Sequence, residues 1–283
     1  MHDELAAAFD AWLADVCPPG IVRAIDDGGS SATLWQQIES SGYLDALVPE
    51  AHGGAGLALA AARPLVQACG ARAVPVPFAE TMVARAELAR AGRAASDGPL
   101  ALAELDDATL PAVERGTWLA ALTSALIAGA AERVLELAST YAQQRVQFGR
   151  PIGSFQAVQH QLAVMAEQTC AARMAAQLAF ASPQPRPDRT LAAMAKCVAG
   201  EAAAIVAAGG HAVHGAIGIT AAYDLQLSTR RLLAWRTEGG SPAYWSREAG
   251  LAWWRSGEAR AHKGRAWTRS CRSSTTARCA SSS

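Results

Sequence analysis

The chain has 283 residues, 51% of them hydrophobic, and its 25 basic and 25 acidic side chains cancel. A chain of that length and apolar content buries a sizeable core, which excludes disorder of the chain as a whole, and balanced charge exerts no general pull on a polyanion, which argues against nucleic acid as a partner. Six scattered cysteines form no CxxC pair, so a metal site is not expected and reduced thiols in a cytoplasmic protein are.

The N-terminus opens on acids without an apolar core, unlike a signal peptide, and no run of about 18–20 apolar residues stands out, so no membrane span is expected. Residues 3–16 place Leu5, Phe9, Trp12, Leu13 and Val16 at helical spacing, and Pro18-Pro19-Gly20 stops them. A second helix covers 31–41, with Ser31 or Thr33 as its cap. Glycines 53, 54 and 56 then mark a tight turn, and no GxGxxG follows a strand anywhere. Helices over 57–70 and 79–92 are separated by ARAVPVPFAE, where Pro75 and Pro77 force an extended passage. Residues 93–113 are weakly patterned, with PLALAEL alone capable of a strand. From 111 to Arg145 the pattern is helical, and after Gly149-Arg150-Pro151 a helix runs over 154–180 with Phe155, Val158, Leu162 and Met165 on one face. SPQPRPD is a loop. A helix over 189–208 follows, with Leu191, Met194, Val198 and Ile205 facing inward, and GGHAVHGAIGIT breaks it. The last helix spans 222–236. Four helices with short breaks imply an antiparallel bundle.

These readings give an all-α chain in four parts: an N-terminal helical domain (1–95), a connector (96–114), a helical bundle domain (115–250) and a basic, aperiodic tail expected to be disordered (251–283).

The segment YAQQRVQFGRPIGSFQAVQHQLAVMA (141–166) resembles the signature of the acyl-CoA dehydrogenases, and HAVHGAIGITAAYDLQLSTRR (211–231) resembles their downstream glycine-rich turn. LWQQIESSGYLDALVPEAHGGAGL with VPVPFAET is similar to their N-terminal helical domain. The resemblance implies α,β-dehydrogenation of an acyl-CoA with FAD as cofactor and electron-transfer flavoprotein as acceptor, in a homo- or hetero-oligomer of related subunits. It implies that Arg145 reaches a flavin pyrophosphate bound mainly by a neighbouring subunit, with Gln147, Phe148, Ile152 and Gln156 lining the same surface and Gly215 admitting the adenosine-side phosphates. Arg145 has the planar fork that a pyrophosphate needs, although an arginine at a helix end also serves as a cap. The turn departs from the family pattern at Ala212 and Ala216. In WRTEGGS (235–241) the resemblance makes Glu238 the catalytic base, one residue closer to the turn than usual; a solvated residue at a helix end is the other reading. His211 and His214 have no third ligand at metal-site spacing. The family's middle β-sheet domain, which needs on the order of 80–100 residues, has no room between Phe78 and residue 115. Three roles stay open: an oxidoreductase, active alone or with a partner that completes its flavin pocket; a non-catalytic structural subunit of such an assembly; or a helical scaffold with no flavin connection.

Overall fold

The structure, a computed structural model, describes residues 2–255. Helix α1 (His2–Val16) buries Phe9 and Leu13 on the expected stripe. The proline pair does more than stop it, because Pro19 occupies the first turn of a second helix, α2 (Pro19–Asp26), where no N–H is needed and a fixed φ suits the helix. Helix α3 (Ala32–Ser40) is not capped by the Ser31 side chain; the Ser30 hydroxyl accepts from the Ala32 N–H at 3.2 Å. In the glycine-rich turn that follows, a Cβ on Gly54 would lie 2.3 Å from the Val48 carbonyl oxygen. Only glycine lets those backbones close.

Helices α4 (Leu59–Ala71) and α5 (Phe78–Arg90) flank the extended passage. PLALAEL, capable of a strand by its sequence, does not form one. A lone strand has no ladder partner, and the backbone groups there are satisfied by α5 instead: the Leu102 N–H donates to Glu80 Oε2 at 2.8 Å, and Leu100 exchanges hydrogen bonds with the Thr81 hydroxyl at 3.0 and 3.1 Å. Residues 102–104 make a single 3-10 turn.

Helix α6 (Ala112–Gln144) is the axis of the molecule, packed by α4 on one side and by α7 (Gln156–Ala179), α8 (Arg189–His214) and α9 (Leu225–Thr237) on the others. The α4–α6 crossing brings the two backbones together: a Cβ on Gly70 would meet the Leu126 carbonyl oxygen at 2.1 Å, and one on Gly129 would meet that of Gln67 at 1.9 Å. The N-terminal helices are tied to the bundle by the bidentate Arg231–Asp26 pair (3.0 Å for both bonds) and by Gln67 on Glu132 at 2.8 Å.

Three expectations for the bundle need correction. Gly209-Gly210 does not break α8, which continues to His214, because the glycines make room for neighbours: added Cβ atoms would sit 2.7 Å from Met165 and from Val134. The inward face of α8 is mostly alanine and glycine, including Ala192, Ala195, Ala199 and Ala203, while Met194, Val198 and Ile205 point outward. Small residues win that face because they let three helices approach closely. Finally, α6 and the helical run Arg189–Ile219 are long and apolar enough to cross a membrane, but 72% and 56% of their most apolar windows are buried inside the protein. Their apolar surface serves the core.

A further helix spans 242–255 and buries Trp245, so ordered structure runs past residue 250; the rest of the segment expected to be disordered, 256–283, lies outside the described residues.

Candidate functional site

The signature segment forms a two-stranded hairpin between α6 and α7. Strands β1 (Val146–Gln147) and β2 (Arg150–Pro151) pair antiparallel, with Val146 opposite Pro151 and Gln147 opposite Arg150. The two-residue loop between them is Phe148-Gly149, at φ 52° and 77°, which matches the turn geometry that the twist of a hairpin favours. Glycine adopts that region freely; phenylalanine pays on the order of 1 kcal/mol for it. Phe148 is 92% exposed, and all of residues 143–151 lie on the surface.

Arg145, Gln147 and Phe148 are all exposed in and beside the hairpin, and Gln156 is exposed at the start of α7. The Arg145 guanidinium has no hydrogen bond or ion pair among the described residues, whereas Arg150 stacks on Phe155 at 4.2 Å. Ile152, expected to line a cofactor, is buried instead: at 8% exposure it packs into the core, and its N–H donates to the Arg145 carbonyl at 2.8 Å. Its role is to anchor the hairpin. Gly215 ends α8 at φ 63° with open space around it. It reaches the same end of the bundle, since the adjacent His214 ring stacks on Tyr141 of α6 at 4.6 Å. Burial pushes the His214 imidazole below its ordinary range, and its Nδ1 meets the Gly210 carbonyl at 2.7 Å. His211 Nε2 meets the Thr229 hydroxyl at 3.0 Å.

Glu238 lies elsewhere, on the rim of a cavity of about 480 Å³ between the extended 74–77 passage and the end of α9. Leu126 of α6, Trp235, Arg230 and Glu80 contribute to the lining. Burial pushes the Glu80 carboxyl up, the Leu102 N–H opposes that shift, and the charges of Glu238 and Glu104 add to it. Behind the cavity, Lys196 of α8 is fully buried. Its ammonium donates to the Thr123 hydroxyl at 2.7 Å and to the Trp235 carbonyl. Burial brings Lys196 down to about 7, with the Glu238 charge opposing. Neither Lys196 nor Glu80 stands out by sequence pattern; the one available signal was a lone lysine in the alanine-rich face of a buried helix.

Residues 113–245 match the C-terminal domain of acyl-CoA dehydrogenases. The chain is 32% identical over 273 residues to acyl-CoA dehydrogenase IpdE2 of Mycobacterium tuberculosis, covering 75% of this chain and 85% of the relative. The chain belongs to the acyl-CoA dehydrogenase family. The Mycolicibacterium smegmatis IpdE2 is 30% identical, with 75% and 86% covered. Among solved structures, a chain of the ChsE4–ChsE5 complex from Mycobacterium tuberculosis superimposes with a TM-score of 0.72 at 20% identity, covering 88% of this chain and 96% of that one. The Tcur3481–Tcur3483 steroid acyl-CoA dehydrogenase variant does so at 0.78 and 21% identity, with 91% and 98% covered. At that identity the likeness is one of fold, and it extends over both helical halves.

Members of this family are FAD-linked oxidoreductases that act on acyl-CoA thioesters. The residues of this chain fit part of a flavin site. An unpaired guanidinium, an amide and a projecting aromatic ring suit a pyrophosphate and a flat ring system. A sheet domain to cover the flavin is absent from the described residues, where β1 and β2 are the two strands present.

Proposed function

We propose that this chain is one half of a two-subunit acyl-CoA dehydrogenase, lending the 145–149 hairpin to a flavin held mainly by a related partner and supplying Glu238 to the thioester. The observation that carries this reading is the hairpin itself: nine consecutive exposed residues, 143–151, with Phe148 held in a strained conformation and exposed. Strain of this kind persists where function requires it. The outward Met194, Val198 and Ile205 on α8, with Met174 and Leu178 on α7, add apolar surface of the kind that pairs with another subunit.

FAD, when bound, supplies the acceptor for the hydride leaving the substrate β-carbon. The remaining work falls to side chains of this chain. Arg145 offers its two-pronged fork to a pyrophosphate, and Gln147 and Phe148 border it. The acyl group enters the cavity against Val74, Val76 and Leu126, where exclusion of water strengthens charge interactions at the rim. Glu238 then removes the α-proton, general-base help worth ~10²–10⁴-fold. Electrons pass on to electron-transfer flavoprotein.

Co-expression with a full-length family member from the same genome tests the reading. The expected product is a yellow complex whose flavin is bleached anaerobically by acyl-CoA, with Glu238→Gln at least about a hundredfold slower and equally yellow. Colourless preparations with every partner tried would remove the flavin reading. A yellow complex in which Glu238→Gln bleaches at the wild-type rate would make this chain a structural subunit that only closes the pocket.

A further inference from the structure

Glu238 sits on a loop with little intrinsic rigidity, since Gly239 and Gly240 follow it at φ 67° and 119°. The structure nevertheless grips this loop from both sides. On its N-terminal side the buried Lys196 ammonium, held by Thr123 of α6, donates to the carbonyl of Trp235, three residues before Glu238. On its C-terminal side the indole N–H of Trp245, a residue 1% exposed, donates to the Gly239 carbonyl at 2.9 Å. Between the two grips there is no slack. A Cβ on Gly239 would come 2.8 Å from that of Leu119, and one on Gly240 would come 2.6 Å from Trp245 Nε1. The loop is therefore pressed against α6 on one side and the 242–255 helix on the other.

A buried lysine whose ammonium is spent on a carbonyl and a hydroxyl is a costly way to fill a core position, where methionine would pack without a desolvation penalty. The charge of Glu238 acts on it, favouring the ammonium against burial. Arg236 of α9 turns to the Gly200 carbonyl at 3.1 Å and pairs with Glu201 at 3.7 Å, one turn further along α8. Retaining a cation at this point makes sense if it fixes something that matters.

We propose that Lys196 and Trp245 are positioning residues, a two-sided clamp that fixes residues 235–240 and so holds the Glu238 carboxylate at the cavity rim. The proposal rests on the reading of Glu238 as the base, and its first test does not. Hydrogen exchange of the full chain at pH 7 reads the Glu238 N–H, bonded to the Ala234 carbonyl at 3.2 Å, and the Gly240 N–H, bonded to that of Thr237 at 3.1 Å. In Lys196→Met and in Trp245→Phe both amides are expected to exchange at least about tenfold faster while α6 amides stay protected as in wild type. Trp245→Phe keeps an aromatic ring in the slot and deletes the donor together with part of the indole, so it serves if the lysine variant fails to fold, with α6 protection as the control for repacking. Unchanged exchange in Trp245→Phe, or acceleration spread over the whole chain, would overturn the clamp.

The second test uses the flavin-bearing complex. The clamp variants are expected to lower kcat roughly tenfold with KM unchanged, and Lys196→Met/Glu238→Gln is expected to be no slower than Glu238→Gln alone, since the clamp acts through that carboxylate. Full additivity in the double variant would show that Lys196 acts elsewhere and would overturn its assignment. If exchange rises locally but Glu238→Gln is undiminished, the base assignment fails and the clamp stands.

Discussion

An arginine with no partner among the described residues keeps its charge-assisted hydrogen bonds in reserve, and that separates Arg145 from Arg150 five residues later. Arg150 already stacks on Phe155. Arg145→Ala is therefore expected to leave the melting temperature of the chain alone and to weaken flavin retention in the complex by about 1.5–3 kcal/mol, the worth of a hydrogen bond to a charged group. Arg150→Ala forfeits about 0.5–1 kcal/mol of cation–π contact and little flavin. Flavin dialysis against a melting curve distinguishes them, and equal retention would take Arg145 out of the site. Lys196 makes a prediction of the opposite kind. Its folded value of about 7 lies below the ordinary 10.5, so between those limits the unfolded chain binds more protons than the folded one. Its burial penalty is full below pH 7 and fades as pH rises toward 10.5. Lys196→Met is thus expected to gain stability relative to wild type at pH 6 and to lose that advantage by pH 10, by urea denaturation at both. A pH-independent difference would show that the lysine is charged throughout.

Elements were legible where periodicity was long and the interruptions were proline. The four bundle helices, the N-terminal helix and the proline-forced passage follow from the pattern of residues such as Phe9, Leu13 and Pro75. What the pattern could not show was which face of an alanine-rich helix turns inward. Hydrophobicity ranks Met194 and Val198 above Ala195 and Ala199, but the α6–α8 approach is too close for the larger pair. The same closeness hid the function of Gly209 and Gly210, which read as breakers and act as spacers. In the site, Arg145, Gln147 and Phe148 were visible as a block, whereas Ile152 shared that block by sequence and left it by burial. Lys196 and Trp245 were invisible, because their bonds run to the backbone of residues 39 and 6 positions away in sequence. Glycine substitutions test this reading of the elements. Gly129→Ala normally adds helix propensity, but here the methyl meets a backbone oxygen at 1.9 Å, and overpacking typically costs about 1–3 kcal/mol. Gly250, in the 242–255 helix, has nothing within 4 Å, so Gly250→Ala is expected to gain about 0.5–1 kcal/mol. Melting temperatures moving in the same direction would refute the close crossing.

At the scale of the molecule, the exposed hairpin and the outward side chains of α7 and α8 present charged and apolar surface of the kind that a second subunit covers. Size exclusion with light scattering is expected to show an oligomer at micromolar concentration. A clean monomer, alone and with its genomic relatives, would count against the two-subunit reading.

The meeting of Gly70 with Leu126 and of Gly129 with Gln67 has a further consequence for the cavity. Leu126 lies in its lining beside the passage that begins at Val74, four residues after Gly70, while the end of α9 closes the other side. The spacing of Leu126 from that passage is thus set by main chain resting on main chain, not by side chains that could swing or compress. On that side the cavity is a caliper locked at one width, and point changes in its lining alter contour and polarity without moving the jaws.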